Sequence, residues 1–155
     1  DMKGISVIVS AVEEGLPTID RLTVTGRIVK GKESYLALLS QLSSDLKSVL
    51  KFVNKVTSVG NNSSGLEITS DKLFLLSEIE VFGATQYSYA GEGKQYEYYT
   101  AGNSTIKKVN GSANAWWERS PNSGNTNNFC NVNNNGNANN NNASNSNGVS
   151  FGFCI

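Results

Sequence analysis

The residues of this chain that could do chemistry are two cysteines, a pair of glutamates and a group of tyrosines, and their spacing restricts what that chemistry is. Cys130 and Cys154 both fall near the end of the chain, where neighbouring antiparallel strands could bring them within bridging distance. Two cysteines do not make a disulfide framework, so the simpler expectation is small buried residues that stay reduced. There is no histidine, and two thiols cannot complete a four-ligand zinc site. Glu78 and Glu80 have the separation of an imaginable acid and base pair. No histidine or lysine partner is suggested beside them, and the alternation Glu-Ile-Glu reads as solvated positions around a buried Ile79. The triplet Gly91-Glu92-Gly93 lacks the longer spacing and Lys-Ser/Thr ending of a phosphate loop. Tyr87, Tyr89, Tyr96, Tyr98 and Tyr99 surround AGEGKQ and could stack on sugars, although their period of two fits strand faces better. No catalytic residue, metal or cofactor is expected from this set.

Asparagine is the residue that dominates instead. Roughly half of the positions after Pro121 carry it, and no charged residue follows Arg119. Such a tract usually signals low-complexity disorder, but Phe129, Val132, Ala138, Ala143, Val149, Phe151 and Phe153 interrupt it, Gly124, Gly136 and Gly148 punctuate it, and it closes on FGFCI. The spacing predicts a strand over Phe129–Asn133, an Asn-Gly type turn over Asn134–Gly136, a return over Asn137–Ser144 and a closing strand over Val149–Ile155. In that last strand Val149, Phe151, Phe153 and Ile155 share one face and are expected in the core. The asparagines are then displayed by a folded scaffold. Their amides offer two donors and an acceptor, which suits many partners, but they bury little apolar area.

Taken together, WW-x-RSP at Trp116–Pro121, F-C-x-V-x-x-x-G at Phe129–Gly136, A-S-x-S-x-G-V at Ala143–Val149 and the terminal FGFCI resemble the C-terminal variable region of diversity-generating retroelement proteins with a C-type lectin fold. The run LFLLSEIEVFG from Leu73 to Gly83 resembles the fixed scaffold of the same proteins, so the likeness extends from about Asp45 to Ile155. In that family an error-prone reverse transcriptase miscopies template adenines, and AAC and AAT codons, which encode asparagine, become hypervariable without reaching a stop codon. The resemblance implies a ligand-binding surface at Asn122, Asn125, Asn127, Asn128, Asn131, Asn133, Asn135, Asn137, Asn139, Asn141, Asn145 and Asn147. Trp116, Trp117 and Arg119 are its implied scaffold. Almost every one of these positions still reads asparagine, as an undiversified, template-like copy would.

The resemblance further implies an α+β, C-type-lectin-like fold of small antiparallel sheets, one or two helices and a long loop-rich C-terminal region. One domain over residues 1–155 is expected, with a β-rich opening segment (1–32), a fixed scaffold (33–115) and the variable region (116–155). The implied partner is a protein or glycan on a host or target cell, met from a phage virion or bacterial cell surface. Calcium is not implied, because the Glu-Pro-Asn and Gln-Pro-Asp signatures of sugar-binding lectins are absent. A homo-oligomer or a larger parent protein is compatible with this picture, and multivalent display would strengthen weak single sites. Two alternatives stand beside it. One is a non-diversified structural or adhesive module whose asparagines reflect an adenine-rich genome, against which lysine is absent after Lys108. The other is an oxidase like the formylglycine-generating enzymes, which share the general fold and would rely on Cys130 and Cys154.

The elements that must position this surface are less distinctive. The net charge of zero over 155 residues leaves no basic excess for nucleic acid. No apolar run approaches a membrane span, and Ile5–Val12 is too short for a signal peptide. Strands are predicted near Ile5–Val9 and Leu22–Val29. Leu39, Leu42, Leu46, Val49 and Val53, with Leu36 and Leu50, form the stripe of an amphipathic helix over Glu33–Phe52, or of two helices meeting at Ser44. Val53–Val59 reads as a strand, GNNSSG at Gly60–Gly65 as a loop, and Ser77 as a cap or bend. One of the two tryptophans is expected in the core and the other under loops. Arg119 is expected to bond a backbone carbonyl, Glu118 or another carboxylate.

Overall fold

The computed structural model of the protein describes residues 39–155. The strands expected near Ile5 and Leu22 lie outside the described residues. From residue 39 onward the chain is α+β, mostly small antiparallel sheets with a few short helices.

The leucine stripe folds as the two-helix alternative. Leu39–Gln41 are helical, the chain breaks at Leu42 and Ser43, and α1 runs over Ser44–Val49. Ser43 is its N-cap, its hydroxyl accepting from Leu46 N at 3.2 Å. The helix stops short of Phe52 because Leu50 turns to an extended conformation. Leu39, Leu42 and Leu46 pack on a core of Leu50, Leu73, Phe151 and Phe153, while Phe52 is left 68% exposed.

Strand β1 (Val53–Gly60) pairs antiparallel with β2 (Ser63–Asp71). The loop expected over Gly60–Gly65 shrinks to the turn at Asn61 and Asn62, because Gly60, Asn61 and Asn62 all take positive φ and reverse the chain at once. Next come β3 (Phe74–Leu75) and α2 (Glu78–Phe82). Ser77 and Glu80 close a capping box around the start of α2, each side chain accepting from the other's backbone N–H. A short helix, α3 (Glu97–Thr100), and the hairpin of β4 (Lys107–Val109) with β5 (Ser112–Asn114) follow. The tyrosines are therefore not on strand faces. Tyr87 and Tyr89 lie in the loop after α2, and Tyr96 caps α3, which carries Tyr98 and Tyr99.

The C-terminal part folds into a four-stranded sheet in the order β8-β7-β6-β9, built from β6 (Trp116–Pro121), β7 (Asn128–Val132), β8 (Ala138–Asn142) and β9 (Gly148–Val149). Strand β9 runs parallel to β6, and the other pairs are antiparallel. The expected closing strand is divided. After β9 the chain shifts to pair β10 (Phe151–Gly152) with β3, and Cys154 then bridges Lys51. Phe151 and Phe153 are buried as the alternation requires, but Ile155 is 56% exposed, because the strand ends before it reaches a facing layer. Both tryptophans are buried, on opposite faces of β6. Trp116 joins Phe74, Leu76, Val81, Tyr99 and Val132, while Trp117 joins Leu75 and Phe129.

Candidate ligand-display surface

Beneath the asparagine surface lies a buried polar frame whose centre is Arg119. Its backbone N donates to Leu76 O at 2.8 Å. Its guanidinium donates to Leu75 O at 2.9 Å, Glu92 O at 2.6 Å, Val56 O at 3.1 Å and Thr57 Oγ1 at 3.1 Å, and to the Glu80 carboxylate. One side chain thereby ties β1, β3, α2 and the loop holding Glu92 to β6. The carboxylate it meets is Glu80 and not Glu118.

Glu80 in turn accepts from Lys55 Nζ on β1 and from Tyr96 Oη at 3.3 Å. Burial alone pushes its carboxyl up, but the Arg119 guanidinium and Lys55 ammonium outweigh that and hold it below the usual range. For Lys55 burial prevails over the attraction of Glu80, and its ammonium is lowered. The two directions differ because Glu80 has two cationic partners, whereas Lys55 has one anionic partner and the repulsion of Arg119. Glu78 accepts from Tyr87 N at 3.1 and 3.0 Å, Ser88 N at 2.8 Å and Ser88 Oγ at 2.7 Å, which fixes the loop after α2. Glu92 accepts from Ser58 N at 2.7 Å and from Ser120 Oγ, and burial still raises its carboxyl.

The glutamates are thus the reverse of solvated positions. Glu78 and Glu80 are buried and Ile79 is half-buried, because donors converge on each carboxylate: Tyr87 and Ser88 on Glu78, and Lys55, Arg119 and the Ser77 N–H of the capping box on Glu80. Glu118 is wholly buried with no hydrogen-bond partner among the described residues. Burial, and then the Glu78 and Glu92 carboxylates, push it well above the ordinary value.

The asparagines divide into classes that their sequence does not distinguish. Asn125, Asn127, Asn135, Asn137 and Asn145 are exposed, and Asn128, Asn133, Asn139, Asn141 and Asn147 are half-buried. Asn131 is 0% exposed and Asn122 7%, which removes both from any contact surface. Each is buried for its own reason: Asn131 stands in the central strand β7 opposite Trp117, and Asn122 closes the bulged end of β6, its N–H donating to Asn128 O at 3.0 Å. Exposed Asn134 and Asn142 and half-buried Asn140 belong to the same surface, although sequence reasoning passed over them.

Several amides shape the chain locally. The Oδ1 of Asn122 accepts from Gly124 N at 2.8 Å, that of Asn125 from Asn127 N at 2.9 Å, and that of Asn142 from Ser144 N at 3.0 Å. Asn133 Oδ1 accepts from Asn135 N at 2.9 Å and Asn137 N at 3.0 Å, closing the β7–β8 turn. Asn128 Nδ2 donates across the strands to Asn140 Oδ1 at 2.7 Å. By contrast no side-chain hydrogen bond engages the amides of Asn127, Asn135, Asn137, Asn139, Asn141 or Asn145 among the described residues. The hairpin tip is anchored from below, since Trp116 Nε1 donates to Thr105 O at 3.0 Å and Thr105 Oγ1 donates to Gly136 O at 2.6 Å. Gly136 has φ +84°, and a Cβ there would lie 2.6 Å from Thr105 Oγ1, so this contact requires glycine.

Cys130 and Cys154 are both free. Cys130 is completely buried, and burial together with the Glu78, Glu118 and Glu92 carboxylates pushes its thiol up, away from the reactive thiolate. No helix among the described residues is long and apolar enough to cross a membrane. No curated protein and no solved structure matches the chain. A family model described as a domain of unknown function, DUF6273, matches residues 33–155, and the chain belongs to that family.

Proposed function

We propose that this protein is a ligand-binding domain of C-type-lectin type whose asparagine-rich C-terminal surface is diversified by retroelement mutagenesis, and that it meets a protein or glycan on a target cell from a phage or bacterial surface. The observation that carries the reading is the separation of two residue sets along one stretch of chain. Trp116, Trp117, Phe129, Cys130, Val132, Phe151 and Phe153 are buried, while Asn127, Asn135, Asn137, Asn139, Asn141 and Asn145 project amides that hold nothing in place. Side chains of that second kind can change without disturbing the first. Without a charge after Arg119, recognition depends on short-range contacts, so the asparagine-filled form binds weakly and substitution by tyrosine or arginine supplies affinity.

Deep sequencing of the codons for Trp116–Ile155, in a growing population that carries the gene and its genomic neighbourhood, tests this. Substitutions confined to asparagine codons, with Phe129, Val132 and FGFCI untouched, are expected. Changes that are absent or spread evenly would return the domain to a fixed structural or adhesive module.

A further inference from the structure

The four-stranded sheet ends on β8, and no other strand pairs with this edge among the described residues. The bonds from Asn133 N to Asn137 O and from Ala143 N to Asn127 O, both 2.9 Å, flank the β7–β8 register and fix its phase. In an antiparallel pair residues alternate between addressing the partner strand and facing away from it. Asn139 and Asn141 therefore spend their main-chain groups on β7, and Ala138, Asn140 and Asn142 turn theirs outward. Asn145 N takes one outward acceptor, Asn142 O, at 2.9 Å. Among the described residues nothing bonds the main-chain N–H groups of Ala138, Asn140 and Asn142 or the carbonyls of Ala138 and Asn140.

Natural sheets blunt such an edge with lysine, proline, a bulge or a covering segment. Here β8 reads ANNNN, without charge or proline, and its register with β7 runs without a shift. We infer that β8 is a docking edge for a second copy of this chain, pairing antiparallel about a two-fold axis at Asn140. That register sets Asn140 against Asn140, each donating to and accepting from its twin, and Ala138 against Asn142 of the other copy, where the Asn142 N–H meets Ala138 O and the Ala138 N–H meets Asn142 O as that carbonyl's second donor beside Asn145 N. The occupant is a second copy because the edge is self-complementary. No charge after Arg119 repels its like, and amide-to-amide bonding between strands already operates from Asn128 to Asn140. The inference stands on strand geometry and not on diversification.

Sedimentation velocity of the full chain over a wide concentration range tests it. A concentration-dependent dimer is expected. Asn140→Pro removes an outward N–H together with the Asn140 amide that accepts from Asn128, leaves the main-chain ladder to β7 intact, and is expected to abolish the dimer with an unchanged near-ultraviolet signal from the buried tryptophans. If that variant does not fold, Asn140→Lys sets two ammonium groups against each other at the axis. Its dimer should be lost at low salt and return in part at high salt. A wild-type chain monomeric at every concentration would overturn the proposal and leave the edge to an extended peptide of another protein. A dimer that survives whichever variant folds would overturn it equally, placing the interface elsewhere.

Discussion

Arg119 and Glu80 lie 39 residues apart in sequence and meet inside the protein, guanidinium against carboxylate, both almost fully buried. Glu80 also closes the capping box of α2, so one carboxylate orders a helix start and joins it to strand β6. Removing either partner leaves the other a buried charge. Arg119→Ala is expected to cost about 3–5 kcal/mol in chemical denaturation, the usual penalty for breaking a buried pair. Arg119→Lys should not rescue it, since one ammonium cannot reach the several carbonyls that the planar fork serves. A loss below about 1 kcal/mol, typical of an exposed pair, would show that the frame does not depend on this contact.

Stability should fall at both ends of the pH range, through different groups. Glu80 is held below the ordinary 4.5, so its contribution is present above that pH and lost as pH falls through the lowered value. Glu118 is raised above 4.5, so its contribution is whole below that pH and lost as pH rises through the raised value. Glu118→Gln should therefore raise the melting temperature at mildly alkaline pH, with a gain that shrinks towards acid. The expected stabilisation is at least about 1 kcal/mol, because an unpaired buried amide costs less than an unpaired buried charge. A pH profile parallel to that of the wild type would argue against Glu118 as the titrating group.

Two asparagines of identical type should respond in opposite ways. Asn131 is fully buried with neither side-chain atom hydrogen-bonded among the described residues, so Asn131→Leu, of similar size and apolar, is expected to stabilise by about 1 kcal/mol. Asn135→Ala, on the exposed turn, should stay within about 0.5 kcal/mol of wild type. Urea titrations of both variants decide this, and equal effects would remove the distinction between buried and exposed asparagines.

The thiols offer a test of accessibility. Iodoacetamide at neutral pH should label Cys154 while Cys130 stays protected until denaturant is added, because a buried thiol among carboxylates does not ionise. Rapid modification of Cys130 in the folded protein, followed by mass spectrometry of the peptides, would reopen the oxidase alternative.

What the sequence determined by itself was local. The capping serine at Ser77, the break in the leucine stripe near Ser44, the β7–turn–β8 hairpin and the buried aromatic frame all follow from periods of two and 3.6 and from turn chemistry. Such signals need only near neighbours. The S-x-x-E spacing of Ser77 and Glu80 also carried a capping-box signal, so the inward turn of Glu80 was legible in part.

Tertiary structure decided the rest. That Glu78, Glu80 and Glu92 are interior and not solvated depends on donors brought from Lys55, Ser58, Ser88, Arg119 and Ser120, far apart in the chain, and the raised carboxyl of Glu118 arises only once packing buries it near Glu78 and Glu92. The tyrosines left their expected strands for a loop and a helical turn. Asn131 and Asn135 cannot be told apart by composition, because burial belongs to a strand's place in the sheet: β7 is flanked on both sides, the turn is not, and pairing between distant segments alone establishes the difference.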